Sequence, residues 1–100
     1  MTDRPKGYWI ANVTVSNAEA YSDYQALAPE AFEKYGGRFL ARGAAETLEG
    51  QDWQRRVIIE FDSIEQARAC YNSPEYRLAR EKRAHACQAD IALIEGLNGG

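Results

Sequence analysis

Asn12, Arg42 and Glu60 fall where alternation along short apolar runs brings all three to one face of a sheet. A carboxylate in a half-dry cavity beside a guanidinium can act as a general base: Glu60 takes a proton while Arg42 holds an anionic or enolic substrate. A plainer reading pairs Arg42 with Glu60 across neighbouring strands, where opposite charges contribute roughly 0.2–1 kcal/mol and set register. Among acids only Glu60 and Asp90 share that face, so a separated acid and base pair would have to come from them. His85 is the only histidine. It is the second catalytic candidate, although no GxSxG signature supplies a nucleophile for it. Its other reading is a solvated histidine at a helix end, favoured by the helix dipole. A zinc or iron centre needs at least two converging imidazoles or thiolates, and Cys87, two residues away, points elsewhere on a helix. No metal and no cofactor are expected. Tyr8 on the same sheet face, with Asn12 and Arg42, is a candidate for substrate binding. Tyr71 and Tyr76 flank Ser73-Pro74-Glu75, where they anchor a broken helix or, for Tyr76, present a phenol at a pocket mouth.

The elements that must position these groups follow from the pattern of residue types. Gly7 to Val15 alternates with period two and is rich in aromatic and β-branched residues, which predicts a strand. Ser16 stands three residues before Glu19, the spacing of a capping box, so a helix is predicted to start there. Tyr21, Tyr24, Leu27, Ala28, Ala31 and Tyr35 form its apolar stripe, Pro29 bends it, and Gly36-Gly37 stops it. Because that glycine pair follows a helix and not a strand, it is no dinucleotide fingerprint. Arg38 to Arg42 and Val57 to Phe61 read as two more strands, joined by a polar loop too short for a helical crossover and therefore antiparallel. Ser63 with Gln66 repeats the capping-box spacing and starts a second helix. It breaks near Asn72 and resumes at Ser73-Pro74-Glu75. The basic run Arg77 to Arg83, interspersed with Glu81, reads as a solvated helix face. Ala89 to Leu97 is a fourth strand. The order strand, helix, strand, strand, helix, strand is the split βαβ plan of ferredoxin-like α+β folds, with a four-stranded antiparallel sheet.

Twelve basic against fifteen acidic side chains leave a net charge of −3, which gives no general attraction to nucleic acid or to anionic lipid. One hundred residues, 45% of them hydrophobic, are enough for one domain, here 7–97, between short tails at 1–6 and 98–100. Neither a secretory leader nor a spanning segment is present in the sequence, so a cytoplasmic protein is expected. Cys70 and Cys87 lack CxxC spacing and read as small core or half-buried side chains.

Sorting each strand by face puts Trp9, Ala11, Val13, Val15, Phe39, Ala41, Val57, Ile59, Phe61, Ile91 and Leu93 against the helices. The opposite face reads Tyr8, Ile10, Asn12, Thr14, Arg38, Leu40, Arg42, Ile58, Glu60, Asp90, Ala92 and Ile94. This mixture is too apolar for open water. A second copy of the chain stacked on it would hide the apolar members and enclose Asn12, Arg42 and Glu60 in a cavity.

Gly7-Tyr8-Trp9-Ile10, Gly36 to Gly43, Val57 to Phe61 and Tyr71 to Tyr76 together resemble the bacterial domain of unknown function 1330 family, over about Lys6 to Gly96. That resemblance implies a ferredoxin-like subunit of the dimeric α/β-barrel superfamily and no established activity. Gly43-Ala44 and Cys70 depart from the family pattern, which has two glycines and an aromatic residue there. Superfamily relatives carry out isomerisation or cofactor-free oxidation of small aromatic compounds, and some degrade haem on one axial histidine, a role His85 would fill. Two functions follow. One is a small-molecule-binding protein or cofactor-independent enzyme, isomerase or monooxygenase-like, with its pocket between helices and sheet or inside the dimeric barrel. The other is a non-enzymatic homodimeric module.

Overall fold

The structure is a computed structural model and describes residues 4–97. Four strands, β1 (Gly7–Val15), β2 (Arg38–Gly43), β3 (Arg55–Phe61) and β4 (Cys87–Glu95), form one sheet in the order β2-β3-β1-β4. Every neighbouring pair is antiparallel. Three helices, α1 (Ala18–Lys34), α2 (Ile64–Tyr71) and α3 (Pro74–Lys82), complete the βαββαβ plan, the second crossover being split in two as Ser73 and Pro74 require. The α+β, ferredoxin-like fold read from the sequence is the fold observed.

The helix ends follow their capping chemistry. Ser63 Oγ accepts from the Gln66 amide at 3.1 Å. Ser73 Oγ accepts from the Tyr76 amide and donates to the Cys70 carbonyl, at 3.1 and 2.6 Å, tying the end of α2 to the start of α3. At α1 the cap is Asn17 and not Ser16: Asn17 Oδ1 accepts from the Ala20 amide at 3.1 Å. The Ser16 and Asn17 amides both donate to the Ala86 carbonyl, which leaves the side chain one position later to close the helix. Gly36 ends α1 at φ +79°, a left-handed conformation suited to glycine. Gly7 allows β1 to start against α2, since a Cβ there would lie 2.5 Å from the Ile64 backbone.

Trp9 sits at the centre of the core, 1% exposed, on the helix face of β1. The rings of Phe32 and Tyr76 meet it edge-on at centroid distances of 5.0 and 4.9 Å. Phe61 stacks at 6.2 Å and Tyr71 tilts at 5.6 Å. Such pairs contribute about 0.5–1.5 kcal/mol each beyond their burial. Cys70 is one of the core residues: its thiol points at the Ala31 carbonyl, 3.7 Å away, and burial pushes its pKa up to about 12. A thiol so placed is inert.

Strand phase departs from the sequence reading in β2. Arg38 pairs with Glu60 and Phe39 with Ile59, but then Ala41, not Leu40, pairs with Ile58, and Arg42 pairs with Val57. Leu40 is the extra residue of a β-bulge on the sheet's edge strand. One inserted residue reverses the faces beyond it, so Ala41 belongs to the outer face and Arg42 to the helix face, opposite to strict alternation.

Candidate ligand pocket

The bulge brings Arg42 beneath α1. There a cavity of about 160 Å3 lies between the helix and the sheet. Its floor is Trp9, Ala11, Val13, Val57 and Ile59, its roof Tyr21, Tyr24, Ala28 and Phe32, and its edge Phe39. Ala28 on the roof and Ala11 on the floor leave the space that larger residues would fill. A wider recess of about 500 Å3 adjoins this cavity, and Tyr21, Gln25, Arg42 and Arg55 border both. The two arginines therefore stand where the apolar depth gives way to the open mouth.

Neither arginine has a carboxylate within ion-pair distance among the described residues, whose ion pairs are Lys6–Asp62, Lys34–Glu75, Arg38–Glu60 and Arg38–Asp62. The Arg42 guanidinium lies over the Phe39 ring, 4.5 Å from its centroid. Arg55 is half-buried, and its Nε is shut off from solvent without a hydrogen-bond partner. A buried donor without an acceptor costs about 1–3 kcal/mol, more when it is charged. The neighbouring phenols are neutral: burial raises the pKa of Tyr21 against the pull of the Arg55 cation, and it raises that of Tyr24. Tyr24 and Tyr76 share a hydroxyl–hydroxyl hydrogen bond of 2.8 Å, and the Arg83 guanidinium stands over the Tyr24 ring at 5.3 Å.

The residues picked out from the sequence separate into three places. Tyr8, Asn12 and Glu60 are on the outer face, away from the cavity. There the Tyr8 hydroxyl donates to Glu60 Oε2 at 3.0 Å, and Arg38, not Arg42, holds Glu60 Oε1 at 2.7 Å. Those bonds, Arg38 first, keep the Glu60 carboxyl below the usual carboxylate range, and the Glu60 bond raises the pKa of Tyr8. Asn12 Oδ1 accepts from Arg56 Nε at 3.1 Å. The expected Arg42–Glu60 pair is thus replaced by Arg38–Glu60. Arg42 reaches the cavity, and Tyr76, fully buried, supports its wall through Tyr24. His85 is exposed in the turn before β4, at φ +66°, and borders neither recess. Arg55, Tyr21, Tyr24 and Gln25 were not among the sequence candidates for the site. Arg55 did carry a signal, since it continues the period-two phase of Val57, Ile59 and Phe61 into a charged residue on the helix face.

A family model described as domain of unknown function (DUF1330) matches residues 6–97. The chain belongs to this family. Among functionally curated proteins none matches this DUF1330 chain. Solved structures do. A protein of unknown function from Rhodopseudomonas palustris is 21% identical, with a TM-score of 0.76 over 96% of this chain and 85% of that one. A cofactor-independent oxygenase from Streptomyces nogalater is 12% identical, with a TM-score of 0.66 over 90% of this chain and 91% of that one. A protein of unknown function from Bacteroides fragilis, described as dimeric and ferredoxin-like, is 14% identical, with a TM-score of 0.65 over 90% and 95%. At these identities the shared property is the fold. No helix among the described residues is long and apolar enough to cross a membrane, and no group of three or more metal-ligating side chains occurs among them.

Proposed function

We propose that this DUF1330 protein binds a small organic molecule in the cavity between α1 and the sheet, as the binding step of a cofactor-independent enzyme of the monooxygenase-like kind. The observation that carries this reading is the aromatic-walled cavity of about 160 Å3 opening onto two arginines that no carboxylate among the described residues neutralises. Its depth matches a single ring, since an apolar cavity of about 150 Å3 is known to hold benzene. The oxygenase from Streptomyces nogalater shares the fold and supports the choice of reaction class. Glu60 and His85 lie outside this cavity, so in this reading the binding groups are Arg42, Arg55 and Gln25.

A thermal-shift screen with single-ring phenols, enols and carboxylic acids, each beside a neutral analogue, tests the proposal. A ligand at ten times its Kd should stabilise the protein by about 1.4 kcal/mol, enough to raise the Tm by roughly 6–11 °C in a domain of this size. Ala28→Leu, which fills the roof, should abolish the shift while leaving the unliganded Tm equal or higher. A ligand-induced shift that survives Ala28→Leu would place binding elsewhere and overturn this assignment.

We also propose that the outer face is covered by a second copy of the chain. Ile10 and Ile58 are half-buried there, and Ile94 is 55% exposed. The dimeric description of the Bacteroides fragilis protein supports this arrangement.

A further inference from the structure

Resting on the cavity as the binding site, we infer that it takes phenols or enols and holds them as their anions, ionising them by charge alone with no protein base. Among the described residues the lining contains two guanidinium groups and no aspartate, glutamate or histidine. The carboxylate that alternation would have placed beside Arg42 is on the other side of the sheet, already neutralised by Arg38. What remains is a site built to lower the energy of a negative charge and unable to accept a proton.

The geometry gives each part a task. A ring enters the depth against Trp9, Phe32 and Phe39, where burial of apolar surface drives binding. Its oxygen then faces the mouth, between Arg42 on β2 and Arg55 on β3. The O–H bond breaks, its electron pair stays on the ligand oxygen, and the proton passes to water in the wider recess. The Arg55 guanidinium borders the cavity and the recess alike, so its charge acts on that oxygen from β3. Tyr21 adds a neutral phenol beside the same mouth. A phenolate or enolate so formed is electron-rich at carbon, the form in which such compounds react with electrophiles.

The test uses 2-nitrophenol, whose phenolate absorbs visible light and whose hydroxyl and nitro groups sit on one edge of the ring, with 2-nitroanisole as the neutral counterpart. The full-length protein should lower the apparent pKa of bound nitrophenol by about one unit, a tenfold increase in the ratio of phenolate to phenol. It should bind nitrophenol at least tenfold more tightly than nitroanisole. Arg42→Met, at an exposed edge-strand position, and Arg55→Met should each reduce the phenolate ratio at least threefold, with circular dichroism confirming the fold. Should Arg55→Met not fold, Arg42→Met alone decides. Nitrophenol bound with an unchanged or raised pKa, a shift that ignores the arginines, or nitroanisole bound as tightly would overturn anion selection while leaving the cavity as a binding site. Binding of neither compound, nor of any compound in the thermal screen, would remove the cavity reading itself.

Discussion

Arg55 and Arg38 carry the same charge and sit on opposite faces of neighbouring strands, and their surroundings give them opposite work. Arg38 is satisfied by Glu60 and Asp62, so its charge is spent on holding the outer face together. Arg55 has no ion-pair partner among the described residues and borders the cavity, so in the proposed complex its charge acts on the ligand. Arg38→Ala should therefore return the Glu60 pKa upward toward the ordinary carboxylate value, measurable by NMR titration of the side-chain carboxyl, and leave ligand binding at the cavity unchanged. The sign for stability follows. A carboxyl whose folded pKa is depressed stabilises the fold above its unfolded pKa, and that contribution is lost as the pH falls through the lowered folded value. Arg38→Ala should accordingly be slightly less stable than the wild type above the unfolded pKa and lose less on acidification, so that the two stability curves converge at low pH. Glu60 lies at the protein surface, so the difference should be small. Which arginine partners Glu60 could not be read from residue types, because Arg38 and Arg42 occupy equivalent positions in an alternating run.

The elements themselves were legible. β1, the stop at Gly36, the cap at Ser63 and the break at Ser73-Pro74 each rest on local chemistry that nothing at a distance overrides. The bulge was not legible, because Arg38-Phe39-Leu40-Ala41-Arg42 alternates without a glycine or proline to mark an inserted residue. Just before it, Phe39 packs edge-on against Phe32 at 5.6 Å and Arg38 pairs with Glu60, long-range contacts that residue types along the strand do not announce. The start of β3 escaped notice for a related reason: the two arginines at its head disguise a strand whose apolar run begins at Val57. Deleting Leu40 should give a regular ladder with Arg42 still opposite Val57. The expected outcome is ligand affinity within about threefold of wild type, by the same thermal or absorbance titration. A tenfold or greater loss would mean that the irregularity itself shapes the mouth.

At the scale of the molecule, the sheet divides the chain into an apolar, helix-covered side with the cavity and an outer side with a mixture of isoleucines and a polar network. The outer side is the better candidate for self-association, since Ile58 and Ile10 lie at its centre on paired strands. Sedimentation of the wild type at micromolar concentration should give twice the chain mass. Ile58→Asp should shift the equilibrium to single chains while preserving the helical signal. Single-chain mass for the wild type would show that this face stays open to water. Composition pointed to one acidic domain, and the mixed strand face to a need for a partner. Neither could place the cavity, because the gap between α1 and the sheet depends on side-chain packing that residue types alone do not specify.

The recess under α1 opens on the helix side of the sheet, opposite the face proposed for self-association. Two subunits joined back to back through that outer face would carry two receptors facing away from each other, with the full thickness of both sheets between them. Saturation of one would then leave the other's affinity unaltered, and the titration curve would be a simple hyperbola whether the chains are joined or apart.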